Sequence, residues 1–326
     1  MSIIEVQDIK RDFGKFTAVD AISFQVQEGE IFGFLGPNGA GKTTTINMLC
    51  TLLRPTSGRA NVAGFDVATQ RDEVRSSIGL VFQEPTLDEY LTAEQNLRFH
   101  AYAYNVPGAE REKRISQLLQ LVDLSDRRRS QVRTFSGGMK RRLEIARGLL
   151  HAPRVLFLDE PTLGLDPQTR RHIWDHIAAL RKEHRLTIFM TTHYMDEAEN
   201  CDRIGIIDQG GIIALDTPDS LKDGLGGDLV TLTAKDNEAA AMELKEKFGI
   251  SPALQNGTVT FSVPKGDQFL PRLVGNFSTP LLSLGVHRPT LDDVFLKLTG
   301  RAIRDEEAGL KDQMKLMMKT FHGMRR

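Results

Sequence analysis

The fold of this chain is decided by Gly36-Pro37-Asn38-Gly39-Ala40-Gly41-Lys42-Thr43, in which two glycines five positions apart precede a lysine and a threonine. Glycines at these positions let the backbone turn its N–H groups toward a phosphate, and the following helix adds its positive N-terminal end. Lys42 can then reach the β- and γ-phosphates, and the hydroxyl of Thr43 can ligate Mg²⁺. The competing interpretation is a glycine-rich turn before a helix that binds nothing.

The residues on either side of this loop favour the phosphate-binding interpretation. The apolar run Ile31–Leu35 precedes the loop, and an apolar face at Ile46, Leu49 and Leu53 follows it with helical spacing. A strand that ends in a glycine-rich loop and leads into an amphipathic helix is the context that a phosphate loop requires.

Further apolar runs predict an α/β fold around a mainly parallel sheet. Residues 155–158 end at Asp159, and residues 187–190 end in Thr191-Thr192-His193. Short apolar runs of this kind are typical of buried parallel strands, and ligands bind beyond the carboxyl ends of such strands. Residues 204–215 predict a hairpin, so we expect antiparallel β elements beside the parallel sheet.

The composition divides the chain into three parts. Residues 1–222 form the predicted first domain, and helical periodicity within residues 84–150 predicts an inserted helical subdomain. Residues 223–300 mix a helical pattern with alternating strands, which predicts a small α+β domain. Residues 301–326 predict an amphipathic helical tail that docks on a partner or on the C-terminal domain, the alternative being a solvated, frayed terminus. The apolar face of that tail would carry Leu310, Met314, Met317, Phe321 and Met324.

Two carboxylates that follow residues 155–158 could supply the chemistry of nucleotide hydrolysis. Asp159 closes the predicted strand and can hold Mg²⁺ directly or through water. Glu160 can polarise an attacking water as general base. Carboxylates also end strands for purely structural reasons, so this interpretation depends on the phosphate loop in the same chain.

The composition is that of a soluble globular protein and excludes a disordered, collagenous or disulfide-scaffold protein. The 326 residues include 42 lysines and arginines against 43 aspartates and glutamates, a net charge of −1. A protein that binds nucleic acid by bulk electrostatics is normally strongly basic, so we expect no nucleic-acid partner. Cys50 and Cys201 are too few for a four-ligand zinc site and suit a reducing compartment. The sequence predicts no signal peptide and no membrane-spanning helix, which would need about 20 apolar residues.

Several motifs occur in an order that resembles the ATP-binding subunit of an ABC transporter. They are the phosphate loop, Gln83, the Ser-Gly-Gly signature within residues 134–142, residues 158–162, residues 164–166 and His193. The resemblance covers residues 1–220 and implies a RecA-like phosphate-loop core that hydrolyses ATP with Mg²⁺. It also implies a dimer of two copies or homologues, closed head-to-tail around two ATP molecules. Its partner would be an integral membrane permease, with this subunit peripheral on the cytoplasmic face of the membrane.

The resemblance implies a set of ATP-binding and catalytic residues. Phe13 would stack on the adenine, although an aromatic residue there could equally belong to the core. Gln83 would contact Mg²⁺ and water, and His193 would sense the γ-phosphate, whereas a lone histidine at a strand end is more often structural. With Glu160 these two residues form the implied catalytic set, and Thr43, Gln83 and Asp159 would be the metal ligands. The loop residues in contact with ATP would be Gly36, Pro37, Asn38, Gly39, Ala40, Gly41, Lys42, Thr43 and Thr44.

The resemblance places two other motifs at a dimer interface. Ser136, Gly137 and Gly138 would close on the γ-phosphate bound to the opposite subunit, because glycines that open a helix present free N–H groups to an anion. Asp166 would act across the same interface. The commonest signature has leucine and glutamine where this chain has Phe135 and Met139. Neither change removes a backbone donor or the serine, so we expect activity to be retained.

The C-terminal sequence narrows the resemblance to one branch of the family. Residues 288–301 closely resemble the ending of drug-export ATPases of the daunorubicin-resistance type. Thr290 can cap a helix there and Gly300 can end it, although such a helix could also dock without functional meaning. The apolar stripe of this helix would comprise Leu291, Val294, Phe295 and Leu298.

Three functions follow from these observations. The leading one is the ATPase subunit of an exporter of drugs or other hydrophobic compounds. The second is a soluble ABC ATPase that acts on nucleic acid or ribosomes, but such proteins typically carry coiled coils, zinc modules or a duplicated fold. The third is a regulatory module that binds ATP without hydrolysing it, which a hydrolysis assay would distinguish.

Overall fold

A computed structural model of the chain describes residues 1–184, 186–255 and 258–300. The chain divides between Leu215 and Asp216, earlier than the boundary at residue 222 expected from composition. The helix Pro218–Asp223 packs against the helix Leu291–Thr299, which places it with the second unit. The tail predicted for residues 301–326 lies outside the described residues.

The first unit contains two sheets and the helices that connect their strands. Its strands are β1 (Ser2–Phe13), β2 (Phe16–Gln27), β3 (Ile31–Leu35), β4 (Ser57–Val62), β5 (Phe65–Asp66), β6 (Ile78–Val81), β7 (Val155–Asp159), β8 (Thr187–Thr192), β9 (Arg203–Asp208) and β10 (Gly211–Asp216). Its α-helices are α1 (Lys42–Leu49), α2 (Arg71–Ser77), α3 (Ala93–Ala103), α4 (Gly108–Leu121), α5 (Gly137–Gly148), α6 (Pro167–His184) and α7 (Met195–Ala198). Short 3-10 turns lie at Ser125–Arg127 and Val132–Thr134.

The central sheet positions the loops that carry the predicted site. Its strand order is β10-β9-β3-β8-β7-β6, and β9, β3, β8, β7 and β6 run parallel. Every residue of β3, β7 and β8 is buried, which explains why these strands are almost continuously apolar in the sequence. Because the three strands are adjacent and parallel, the loops after Leu35, Asp159 and Thr192 leave the sheet at the same edge.

The remaining β elements of the first unit are antiparallel, as the sequence predicts. The hairpin of β9 and β10 turns through Gln209 and Gly210, which both have positive φ, of 48° and 83°. A two-residue turn of this kind matches the twist of the flanking strands. A second sheet has the order β2-β1-β4-β5 and packs on the central sheet through aromatic rings. Phe24 of β2 stacks on Phe32 of β3 with ring centroids 5.5 Å apart, and burial of each ring stabilises the fold by about 1.5–3 kcal/mol.

A separate apolar core holds α3, α4 and α5 together between residues 87 and 150. Helix α3 begins at a capping box, in which Thr92 Oγ1 accepts from the amide of Gln95 and Gln95 Oε1 accepts from the amide of Thr92. The buried side chains of this core include Leu97, Ala101, Ile115, Leu119, Leu143 and Ala146.

The second unit is a small α+β sandwich. Its elements are α8 (Pro218–Asp223), β11 (Asp228–Ala234), α9 (Asn237–Phe248), β12 (Ala253–Gln255), β13 (Thr258–Val263), α10 (Gly266–Asn276), β14 (Leu281–His287) and α11 (Leu291–Thr299). The strand order is β12-β13-β11-β14, so the β-α-β-β-α-β connectivity is that of the ferredoxin-like motif. Alternate residues of β11 and β13, such as Val230, Leu232 and Phe261, face the core.

Helix α11 has the ends that the sequence predicts but a shorter apolar stripe. Thr290 and Asp293 form a capping box, and Gly300 ends the helix with a φ of 74°. Leu291, Val294 and Phe295 are buried. Leu298 is 47% exposed, so the predicted stripe stops one turn early.

Candidate active site

The phosphate loop connects β3 to α1 and requires glycine at two positions. A side chain at Gly36 would place its Cβ 2.2 Å from the carbonyl oxygen of Ile207, and one at Gly41 would lie 2.5 Å from that of Ala18. Gly41 also has a φ of 106°, a conformation that only glycine adopts readily. The loop therefore owes its path to the residues that the sequence motif specifies.

Lys42 opens α1 and is 4% exposed. Its Nζ donates to the carbonyl oxygens of Gly36, at 2.7 Å, and Pro37, at 3.1 Å, so the side chain folds back into the loop. The same Nζ lies 3.2 Å from Glu160 Oε1. The positive charge of the loop and the second of the two predicted carboxylates are thus in direct contact.

Asp159 ends β7 opposite the phosphate loop and is 4% exposed. Its Oδ1 accepts from Thr191 Oγ1, at 2.5 Å, and from Thr43 Oγ1, at 3.3 Å. Burial raises the pKa of Asp159 above its usual value, and the hydrogen bonds from these two threonines oppose the rise. A hydroxyl and a carboxylate in contact are donors that suit Mg²⁺, which is commonly bound by one or two carboxylates together with phosphate oxygens.

Glu160 has a strained backbone and sits among the other predicted catalytic residues. Its φ is 44°, and a non-glycine residue in this region costs about 1–3 kcal/mol unless its surroundings hold it. The amide of Glu160 donates to Thr191 Oγ1 at 3.0 Å. Glu160 Oε1 lies 3.3 Å from His193 Nδ1, and Glu160 Oε2 lies 3.5 Å from Gln83 Nε2. Three loops that are far apart in sequence therefore converge on one carboxylate.

The neighbours of Glu160 determine its charge. Burial by itself would raise the pKa of Glu160, but the contact with His193 Nδ1 and the positive charge of Lys42 lower it below its usual value. The carboxylate is therefore ionised near neutral pH and can accept a proton.

These residues line a cleft of about 800 Å³. Phe13 and Phe16 stand at this cleft with exposed fractions of 47% and 62%, so the structure places Phe13 at the surface and not in the core. The guanidinium of Arg11 lies 4.6 Å from the centre of the Phe13 ring. The lining residues are Phe13, Phe16, Ala18, Asn38, Gly39, Gly41, Lys42, Thr43, Thr44, Gln83, Glu160, Leu163, Gly164, His193 and Tyr194.

The structure does not bring the signature residues to this cleft. Ser136 is the N-cap of α5, where its Oγ accepts from the amide of Met139 at 3.3 Å. Ser136 and Gly138 line a different groove, of about 210 Å³. Asp166 is also outside the cleft, and its carboxylate accepts from the amide and the hydroxyl of Thr169 at the start of α6.

Thr191 and Phe16 are among the residues of the site that were not predicted from sequence. Thr191 connects Asp159 to the amide of Glu160, and a threonine in a wholly buried strand is the signal that could have indicated it. Phe16 follows the turn after Phe13 and offers a second aromatic face at the cleft. An aromatic residue in an edge strand carries no comparable local signal.

The fold and the site together define a phosphate-loop nucleotide-binding protein. Comparison with known families then identifies which kind of phosphate-loop protein this is. The family model described as ABC transporter matches residues 19–163. A linearmycin resistance ATP-binding protein of Bacillus subtilis is 40% identical over 320 residues, which cover 93% of this chain and 100% of that protein. A daunorubicin resistance ATP-binding protein of Streptomyces coeruleorubidus is 39% identical, over 94% of this chain and 97% of that protein.

Solved structures of the same kind share the fold. The ATP-binding subunit of an ABC transporter is 31% identical with a TM-score of 0.62, over 69% of this chain and 94% of that one. A dimeric ATP-binding cassette in a post-hydrolysis state, bound to ADP and Pi, is 27% identical with a TM-score of 0.59, over 66% of this chain and 98% of that one. The chain belongs to the ABC transporter family of ATP-binding proteins and is an ATPase.

No helix in the described part of the chain combines the length and the apolar character needed to cross a membrane.

Proposed function

We propose that this chain is the ATP-hydrolysing subunit of an ABC exporter. In this proposal it dimerises head-to-tail around two ATP molecules and drives a separate membrane subunit. The observation that carries the proposal is the convergence of Lys42, His193 and Gln83 on Glu160, beside a phosphate loop. A site that only bound ATP would have no need of a buried, ionised carboxylate held at this position.

In this proposal, different residues of the site bind the nucleotide, accept the proton and orient the attacking water. The loop amides and Lys42 hold the phosphates, and the exposed ring of Phe13 is available to stack on the adenine. Glu160 takes a proton from water as the water oxygen bonds to the γ-phosphorus and the bond to the bridging oxygen breaks. His193 and Gln83 orient that carboxylate and the attacking water.

Magnesium fits the oxygen donors of this site. Thr43 and Asp159 would hold the ion, with Gln83 nearby, and the ion would neutralise charge on the β- and γ-phosphates. Within the described residues no cluster of three or more histidine, cysteine, aspartate or glutamate side chains can hold a metal. Phosphate oxygens and water would therefore complete the coordination, which is usual for Mg²⁺.

The position of the signature supports a composite site shared by two subunits. Ser136 and Gly137 are exposed at the start of α5, where the first backbone N–H groups of a helix have no carbonyl partner within it, and they do not line their own subunit's cleft. A second copy placed head-to-tail would supply these donors to the γ-phosphate. Asp166, exposed at the start of α6, would lie at the same interface.

The cargo class and the membrane partner are proposed from the relatives. Two are named for resistance to linearmycin and daunorubicin, and a third, 38% identical, is a Nod factor export ATP-binding protein. We infer export of a drug or another hydrophobic compound through an integral membrane permease. The chain would then be peripheral on the cytoplasmic face of the membrane.

Hydrolysis by the purified chain, alone and with its membrane subunit, tests the proposal. We expect ATP turnover that stops when EDTA removes Mg²⁺ and returns when Mg²⁺ is added. The chain should also co-purify with an integral membrane protein encoded beside it, and turnover should respond to that partner. ATP binding without turnover would favour a regulatory module, and recovery with ribosomes or nucleic acid instead of a membrane protein would favour the soluble alternative.

A further inference from the structure

Arg141 is a buried arginine of the signature helix α5 that contacts the backbone on both sides of Glu160. Its side chain is 5% exposed. Its Nε donates to the carbonyl oxygen of Pro161 at 2.6 Å, and its Nη2 donates to that of Asp159 at 2.9 Å. Its Nη1 donates to the carbonyl oxygen of Phe82, the residue before Gln83. One guanidinium therefore holds the chain next to two of the three proposed catalytic residues.

These contacts of Arg141 can hold the backbone of Glu160 in its strained conformation. A non-glycine residue at a φ of 44° persists only where the surrounding structure fixes it. The guanidinium is a rigid, planar group that donates several hydrogen bonds in fixed directions, whereas a lysine ammonium is a flexible point charge. Arg141 binds the carbonyls before and after Glu160 and that of Phe82 through three separate nitrogens of one plane, an arrangement that the single nitrogen of a lysine cannot reproduce.

Glu144, a second buried charged residue of α5, contacts Arg141 and also the backbone that follows Gln83. Glu144, which is completely buried, lies 3.3 Å from Arg141 Nη1 and 3.6 Å from Arg147 Nη2. Its Oε1 accepts from the amide of Thr86 at 2.7 Å and from the hydroxyl at 3.1 Å. Arg141 and Glu144 lie one turn apart on α5. This helix therefore binds the backbone at Phe82 and at Thr86, on either side of Gln83.

We propose that Arg141 is a positioning residue for the catalytic carboxylate Glu160. It lies at the start of the second turn of the helix that the signature opens, so it connects the helix that would meet the partner's nucleotide to the general base of its own subunit. This inference rests on the proposed role of Glu160. It predicts a loss of turnover rather than a loss of nucleotide binding, because Arg141 does not line the cleft.

The substitution Arg141→Lys tests this role while it keeps the positive charge beside Glu144. We expect kcat to fall about 10- to 100-fold, the size expected when a catalytic group is misplaced by about 1 Å. KM and the affinity for a fluorescent ATP analogue should stay within about threefold of wild type. The matched control is Arg128→Lys, which alters another arginine with several contacts, to Glu94, Glu112 and Ser116, away from Glu160. Its turnover should be unchanged.

A double-mutant cycle with Glu160→Gln separates positioning from a general loss of structure. If Arg141 acts through Glu160, Arg141→Lys should reduce the residual turnover of Glu160→Gln by less than about threefold. Equal fold-losses in both backgrounds, or wild-type turnover in Arg141→Lys, would overturn the inference. Wild-type turnover in Glu160→Gln would instead overturn the proposed function. If Arg141→Lys does not fold, the pair Arg141→Gln with Glu144→Gln removes both charges and the same cycle applies.

Discussion

Glu160 is buried, and yet its neighbours lower its pKa. In an apolar pocket the same carboxylate would have a raised pKa, so a smaller fraction of it would be ionised at neutral pH. Lys42 and His193, at 3.2 and 3.3 Å, reverse that effect. Asp159, the preceding residue, has threonine neighbours and a raised pKa. Adjacent carboxylates thus differ in acidity because different side chains face them.

Replacing Glu160 by glutamine should separate ATP binding from hydrolysis. Glu160→Gln keeps the contacts of the phosphate loop but cannot accept a proton, so kcat should fall about 10²–10⁴-fold. ATP should then hold the protein in a closed dimer, which size-exclusion chromatography with light scattering would detect. The exposed Glu73 on α2 provides the control, since Glu73→Gln should hydrolyse ATP normally. Wild-type turnover in Glu160→Gln would show that another group is the base.

The residues of the site differ in how far the sequence could predict them. Gly36, Lys42 and Thr43 are adjacent or nearly so, and their function follows from spacing within a single loop. Thr191 acts through a contact with Glu160, which is 31 positions away in the chain. Arg141 acts through contacts with residues that are 18 to 59 positions away. Only the fold brings these partners together, so the sequence can mark Thr191 as a polar residue in a buried strand but cannot indicate which residues it or Arg141 contacts.

At the scale of elements, the ends of a helix can be predicted from local sequence, whereas its buried face depends on distant residues. The ends of α3, α5 and α11 follow from short-range hydrogen bonds of Thr92, Ser136 and Thr290, which a sequence pattern can express. The buried face of α11 depends on which other element covers it, and the exposure of Leu298 shows the difference. For the same reason composition put the domain boundary at residue 222, inside α8, whereas α8 packs against α11 and the contacts divide the chain between Leu215 and Asp216.

The packing of α3 predicts an acid-sensitive stability. Burial lowers the pKa of His100 to about 4 from 6.5, and the nearby charge of Arg147 adds to the effect. Between these two values the unfolded chain binds more protons than the folded one, so stability falls as the pH falls from 6.5 to about 4. Because the ring is partly exposed, the effect is about 1–2 kcal/mol.

Urea unfolding at several pH values would measure this effect. In His100→Gln the loss of stability between pH 7 and pH 4.5 should be smaller than in wild type by about 1 kcal/mol. His172, exposed on α6, is the control, and His172→Gln should keep the wild-type slope. An unchanged slope in His100→Gln would mean that His100 is not the group responsible.

At the scale of the whole molecule, the phosphate loop and the signature of one chain are not in the same cleft. Two chains can therefore complement each other. Lys42→Ala removes the charge that faces the phosphates and should weaken both ATP binding and turnover. Ser136→Arg should abolish turnover, because the long cation would block the signature, but ATP binding by the isolated chain should remain nearly unchanged.

Mixing the two inactive variants tests the composite site directly. A mixed dimer contains one site with an intact loop and an intact signature, so partial ATPase activity should return. Two differently tagged chains and a double pull-down would show that the mixed dimer forms. The reference is the heterodimer of a wild-type chain with a chain that carries both defects, isolated by the same double pull-down. It has one intact loop but no complete site, so it should be inactive. No rescue in a demonstrated mixed dimer would contradict the head-to-tail arrangement.

The tail, residues 301–326, carries 7 basic and 4 acidic groups, a net charge of +3. The spacing of its leucine, phenylalanine and methionines predicts one apolar helical face, and methionine side chains are flexible enough to adapt to irregular grooves. A basic amphipathic helix suits a partner or a membrane surface. Deletion of residues 303–326 should therefore leave ATP binding unchanged but reduce co-purification with the membrane subunit, or transport. Met314→Gln with Met317→Gln should reproduce the defect, whereas Lys315→Gln, off the apolar face, should not. Normal recovery of the complex and full transport with the truncated chain would reject docking by the tail.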